Sequence, residues 1–336
     1  MSTTAVTLRA PGKAMVLGEY VVLDGAPAIV TAVTRYASAR LESCSSDRSI
    51  RITTSLSNVP WQLRDESGAT HGAPTDAFAL VDAVVQTLRA RGRGFPESGL
   101  TLHLDSSALS DAQKLGLGSS AAIAALCTLA LGGERGFATD DAVHAIADEA
   151  HRRFQAGAGS GADIAAACFG GVIQIQRGHA PRRVREALPP MLVVYTGYEA
   201  NTRDFVARVR AQSGDRDVER ALAAMHDATL AGVDALHRGA HDAFLRAVQQ
   251  FHADECALTE ASGVPVVTEE IARAVEIFEA SGGVGKASGA GGGDIVLGFF
   301  PDTDALARAR DRIDQSPLTR VDLAIETRGI LETNGR

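Results

Sequence analysis

A chain of 336 residues, 45% of them apolar and with a formal charge of −8, is long enough for two buried cores and too acidic for a nucleic-acid or anionic-membrane surface. No apolar run reaches the length of a membrane span and the first residues lack a secretory leader, so a cytoplasmic protein is expected. Four scattered cysteines (Cys44, Cys127, Cys168, Cys256) without a CxxC pair argue against a disulfide framework or a zinc site and read as free thiols.

Residues 5–9, 14–18, 28–33, 35–42 and 49–54 are β-branched or alternating, and the breaks PGK, DGAP and SSD make them short strands. A helix is predicted over 76–92, then a strand over 99–105. AAIAALCTLALGG is helical by its alanine and leucine content and should end at the glycines 132–133. Helices over 139–155 and 161–168 precede a strand in GGVIQIQ. The charged, proline-bearing stretch 177–190 marks a boundary, giving an N-terminal domain of residues 1–185 and a C-terminal domain of 186–336. The second half begins with a strand at 191–197 and continues with helices between 202 and 281. A glycine-rich loop and strand, a helix at 303–314 and a strand at 319–326 complete it. Strands followed by runs of helix, without regular βαβ alternation, indicate an α+β fold.

Only three of the 33 basic residues are lysine, and each lies beside a glycine-rich turn: Lys13 in APGKAMVLGEY, Lys114 in QKLGLGSS, Lys286 in GKASGAGGGD. Lysine is a compact point charge that fits a phosphate nest better than the wide arginine fork, so a shared anion site is expected. Gly116 and Gly118 let the backbone approach a ligand, and Ser119 and Ser120 open a helix. Two readings stand: a phosphate site, or an ordinary helix capped by Ser119. The loop matches neither GxxxxGK[ST] nor GxGxxG. Asp163 follows a second glycine-rich turn, where a carboxylate could cap a helix, serve as a base or orient a lysine. The loop SGAGGGD, 288–294, is richer in glycine than one turn requires and implies close ligand approach. Of nine histidines only His151 neighbours a motif, and a packed or surface role is expected for it; no His/Cys metal spacing is visible.

APGKAMVLGEY, GLGSSAA and SGAGGGD, in this order and spacing, resemble the three motifs of the GHMP small-molecule kinases. Within that family GEY at 18–20, KLGLGSS, AHRRFQAGAGSGADIAAACFGG, YTGYEANTRDFV and Asp294 are most similar to the phosphomevalonate kinases. The resemblance implies a ribosomal-protein-like N-terminal domain on a ferredoxin-like C-terminal domain, with ATP and Mg2+ as cofactors and a phosphorylated small-molecule acceptor. It implies that Gly116, Leu117, Gly118, Ser119 and Ser120 wrap the ATP phosphates, that Ser120 binds the metal, and that Lys13 and Asp163 face the transferred group. Lys114 and Thr202 would hold the acceptor's phosphate, with Tyr20, Ser160, Gly161, Gly291, Gly292 and Asp294 on the acceptor side. The magnesium-binding glutamate of mevalonate kinases has no direct counterpart, since Glu149 is offset by about a turn. Mevalonate kinase, another kinase of the family, or an ATP-dependent decarboxylase are the alternatives. The oligomeric state is left open, a homodimer included.

Overall fold

The computed structural model describes residues 4–44, 47–110, 115–132, 140–157 and 159–334. Its first sheet is built on two long antiparallel strands, β1 (Thr4–Leu17) and β2 (Ala28–Cys44). Each was expected as two short strands. The Pro11–Gly12 turn signal in β1 is absorbed instead by a shift of register between those two residues, which redirects the strand without ending it. β3 (Ile50–Thr54), β4 (Ser57–Arg64), β5 (Gly99–Asp105), β6 (Val172–Ile175) and β7 (Arg182–Arg183) extend this sheet. β3 and β5 pair in parallel and the remaining pairs are antiparallel.

Among the described residues four α-helices belong to this half: α1 (Ala79–Ala90), α2 (Ser119–Leu131), α3 (Asp140–Phe154) and α4 (Ala162–Phe169). α2 is buried nearly all round, as its alanine-rich, charge-free sequence requires. The small side chains let it run close to α1, α3 and the sheet.

A second, four-stranded antiparallel sheet contains β8 (Met191–Tyr195), β9 (Val284–Ser288), β10 (Ile295–Phe299) and β11 (Thr319–Val321), in the order β11-β8-β10-β9. Its helices are α5 (Thr202–Arg210), α6 (Arg216–His237), α7 (His241–Ser262), α8 (Glu269–Ala280) and α9 (Thr303–Asp314). Side chains alternate across the sheet. Leu192 and Val194 join a core with Phe278 of α8 and Ile313 of α9. Val193 and Tyr195 join Phe244 and Phe251 of α7 in the large core shared with the first sheet. Buried on both faces, β10 reads as an unbroken apolar run. The last strand, β12 (Leu331–Asn334), returns to pair with β1, so these residues lie in the first sheet although they follow the sequence boundary at 186. Among the described residues, no helix is long and apolar enough to cross a membrane.

Candidate active site

The site begins with the way β1 meets the loop before α2. The Lys13 amide donates to Leu117 O at 3.0 Å. Leu115 and Leu117 are buried anchors, while Gly116 and Gly118 between and after them take φ of 67° and 76°, the left-handed turn that glycine adopts without strain. Gly118, not Ser119, occupies the N-cap position of α2, and no side chain caps that end. By contrast Asn201, Asp215, Thr268 and Asp302 cap α5, α6, α8 and α9. The first turn of α2 therefore keeps N–H groups for an anion, assisted by the helix dipole.

This short loop touches both sides of the site. A Cβ on Gly118 would sit 3.2 Å from Lys13 Cγ and 3.3 Å from Asp163 Oδ2. Lys13 Nζ lies 3.6 Å from Asp163 Oδ1, with side chains 12% and 33% exposed, so the pair remains reachable by a ligand. Asp163 is placed by Gly161, which starts α4 without a side-chain cap, and by Ser160 Oγ, which accepts from the Ala162 amide at 3.3 Å. On the other side, a Cβ on Gly116 would come within 2.5 Å of Asp294 Oδ2. Gly116→Ala must push the loop away from a buried carboxylate and strain its own backbone. A displacement of about 1 Å there should lower kcat/KM roughly 10²-fold, measured by steady-state ADP release with the fold checked by circular dichroism.

The 288–294 loop is tied to the first sheet. Tyr20, itself at a φ of 61°, donates its hydroxyl to Ala290 O at 2.5 Å. Ser288 Oγ accepts from Met15 N and donates to Met15 O, at 2.9 and 3.0 Å. Gly292 N donates to Val266 O at 2.9 Å, and Gly291 lies against that same carbonyl. Asp294 is buried, with φ 53°, a strained conformation that a short polar side chain tolerates. Its Oδ1 accepts from Ala200 N at 3.1 Å and its amide donates to Tyr198 O at 2.8 Å, which shapes the turn leading to α5. Thr202 is exposed in the first turn of α5, and that helix meets the loop through the Phe205 ring beside Gly292. Lys114 lies outside the described residues.

The structure gives His151 and Glu149 partners that the sequence did not show. His151, read as packed or surface, is buried in α3 with its Nε2 2.9 Å from Ser120 Oγ. Burial lowers its pKa, against the opposing pull of Asp163 and Asp148. The signal was present: Val143, Ile146, Ala147, Ala150 and His151 form one buried helical face, and a histidine in an apolar stripe needs a partner. Glu149 points elsewhere, paired with Arg91 at 2.5 Å and Arg153 at 3.8 Å.

Lys286 does not face the Lys13–Asp163 pair. It is fully buried in β9, with Nζ 2.5 Å from Glu19 Oε1, 4.0 Å from Glu255 Oε1, against Ala287 O and 5.1 Å from the Phe251 ring centroid. Burial pushes the Glu19 carboxyl above the ordinary range despite the lysine. Gly289 N also donates to Glu19 Oε1, at 3.2 Å. The third lysine thus joins the two halves of the molecule and indirectly fixes the 288–294 loop.

His252, 3.4 Å from Glu255 Oε2, extends this cluster. Burial alone would lower its pKa, but the contacts with Cys256 and Glu255 raise it from 6.5 to about 9. The folded state then holds a proton that the unfolded state releases. This contribution is complete below about pH 6.5 and is lost as pH rises through about 9, with a slope of at most about 1.4 kcal/mol per pH unit. Urea unfolding across that window should show the decline in wild type and a flatter profile in His252→Gln.

Residues 79–171 match the family model for the GHMP kinases N terminal domain, and residues 233–318 match that for GHMP kinases C terminal. A Streptomyces sp. phosphomevalonate kinase is 28% identical over 376 residues, covering 97% of this chain and 95% of the relative. An Aeropyrum pernix mevalonate kinase is 28% identical over 325 residues, covering 89% of each. The solved structure of Streptococcus pneumoniae phosphomevalonate kinase, in complex with phosphomevalonate and AMPPNP, superposes with a TM-score of 0.77 at 19% identity, covering 96% of this chain and 99% of that one. With its N- and C-terminal signatures in the family's order on the family's fold, this chain belongs to the GHMP kinases.

Proposed function

We propose that the protein transfers the γ-phosphoryl group of ATP to the phosphate of 5-phosphomevalonate, yielding ADP and 5-diphosphomevalonate, a step of the mevalonate route to isoprenoids. The observation that carries this reading is the loop 116–118, which lies against Lys13 and Asp163 on one side and Asp294 on the other. The phosphomevalonate kinase relatives supply the acceptor.

The uncapped N-terminus of α2 and the backbone of Gly116, Leu117, Gly118 and Ser119 receive the ATP phosphates. Lys13 stabilises charge on the transferred group, and Asp163 orients that lysine. Tyr20, Ser160, Gly161, Gly291, Gly292 and Asp294 shape the acceptor side, where Lys114 and Thr202 receive the acceptor's phosphate. The residues fit a magnesium ion carried mainly by the nucleotide: a hydroxyl, Ser120, stands in the first turn of α2, and among the described residues no three of His, Cys, Asp and Glu gather around a metal. Bound there, the ion would neutralise charge on the β- and γ-phosphates. The second pKa of a phosphomonoester is roughly 6, so the acceptor is already dianionic at neutral pH and needs no general base.

The second reading, mevalonate as acceptor, is favoured by Asp163 beside Lys13, a carboxylate placed where a hydroxyl's proton must go. ADP release with Mg-ATP against phosphomevalonate, mevalonate, diphosphomevalonate and homoserine separates the readings, with phosphorus NMR of the products. A new diphosphate signal with phosphomevalonate alone is expected. Turnover with mevalonate alone would reverse the acceptor, and carbon dioxide release from diphosphomevalonate would point to a decarboxylase.

A further inference from the structure

Ser120 stands in the first turn of α2, where a serine hydroxyl commonly closes back on the helix backbone. Here it reaches across to α3 and meets His151 Nε2 at 2.9 Å. Both partners can donate or accept, so the direction of this hydrogen bond is a chemical choice with a consequence. If the imidazole donates Nε2–H, the serine hydrogen must turn elsewhere and can point at the ligand. A cation is then repelled by the O–H dipole. If Nε2 is the acceptor, the serine hydrogen is held on the α3 side and the oxygen lone pairs are left for the ligand.

His151 is 5% exposed, on the face of α3 that also buries Val143, Ile146, Ala147 and Ala150. Its ring cannot rotate freely to satisfy whichever partner arrives. Of the carboxylates on this stretch of α3, Glu149 is held by Arg91 and Arg153, and Asp148 Oδ2 accepts from Arg152 Nε at 2.9 Å. The position facing Ser120 on that helix is therefore filled by an imidazole instead of a carboxylate.

We propose that His151 is a positioning residue for Ser120: its unprotonated Nε2 accepts the hydroxyl hydrogen and fixes the Ser120 oxygen with its lone pairs toward the phosphate loop, ready for the divalent cation that accompanies ATP. This rests on the role proposed above for Ser120. It explains how one protein hydroxyl could serve a cation without a carboxylate from α3, because an oriented ligand binds metal more tightly than a freely rotating one.

Two measurements on the full chain test it. Nitrogen-15 NMR of the ligand-free protein, with His151→Gln to assign the resonance, should show the Nδ1–H tautomer with Nε2 unprotonated. An Nε2–H tautomer overturns the inference. Calorimetric binding of AMPPNP with and without Mg2+ gives the second readout. His151→Leu should lose roughly 10–100-fold of the affinity gained from Mg2+, with metal-free AMPPNP binding unchanged. His151→Gln, whose amide oxygen can accept the same hydrogen bond, should recover most of it. If His151→Leu keeps the magnesium gain while Ser120→Ala loses it, the positioning role fails and the Ser120 assignment survives. If Ser120→Ala also keeps the gain, the Ser120 assignment fails and the positioning role falls with it. Should His151→Leu not fold, the tautomer and the glutamine variant decide.

Discussion

Lys13→Ala should lower kcat with phosphomevalonate by roughly 10²–10³-fold, the usual cost of removing one preorganised charge-stabilising donor, whereas Asp163→Asn should cost less than about tenfold. The order follows from the acceptor. Two anions must be brought together, the γ-phosphoryl group and a phosphate that already carries its charge, and the lysine 3.6 Å from Asp163 is the described cation beside the loop that would hold both. Phosphoryl transfer depends chiefly on positioning and charge stabilisation. Asn at 163 preserves shape and a hydrogen-bonding oxygen to orient Lys13, and removes the negative charge together with the ability to take a proton. Steady-state ADP release from both variants measures the contrast. A loss of roughly 10²–10⁴-fold in Asp163→Asn, the range for a general base, would mean that the acceptor arrives as a protonated hydroxyl and would favour mevalonate.

The glycine motifs were legible because their spacing is imposed locally. Gly116 and Gly118 alternate with Leu115 and Leu117, and that alternation alone requires a loop whose leucines are buried and whose backbone lies open. What was not legible came from contacts distant in sequence. Nothing near Lys286 announces Glu19 or Glu255, which lie 267 residues and about thirty residues away along the chain. A lysine in a β-branched or small-residue strand beside glycines reads the same whether it meets a phosphate or a carboxylate. His151 carried a partial signal in its buried helical face, but its partner Ser120 could be found only once α2 and α3 were packed.

The fold shows the same division. β4 was missed because Pro60 lies in its middle and reads as a breaker, yet β4 is an edge strand, where a missing amide donor costs nothing. β12 was missed because four residues carry too little periodicity to be recognised, and only pairing with β1 makes them a strand. Helices needed no such help: 79–90, 140–154 and 303–314 fall close to their expected limits, since each has an amphipathic period that fixes a buried face.

The buried lysine should dominate stability. Lys286→Met keeps the length of the side chain and removes its charge, leaving Glu19, 3% exposed, without its cation and Glu255, 0% exposed, with His252 alone. Already in the intact protein Glu19 Oε2 and Glu255 Oε1 have no hydrogen-bond partner among the described residues, so the lysine is the main compensation for the desolvated Glu19 and shares Glu255 with His252. Breaking a buried pair in this way costs about 3–5 kcal/mol, a large share of the roughly 5–15 kcal/mol that holds a domain together. Urea unfolding should show that loss, and a change below about 1 kcal/mol would mean that water or another group satisfies the acids. Adding Glu19→Gln to Lys286→Met should restore part of the loss, because one buried charge disappears along with its missing partner. Activity should not recover in parallel. Glu19 also accepts from Gly289 N, and it precedes Tyr20, which holds Ala290. The double variant therefore separates the lysine's contribution to folding from the carboxylate's contribution to holding the acceptor loop in place.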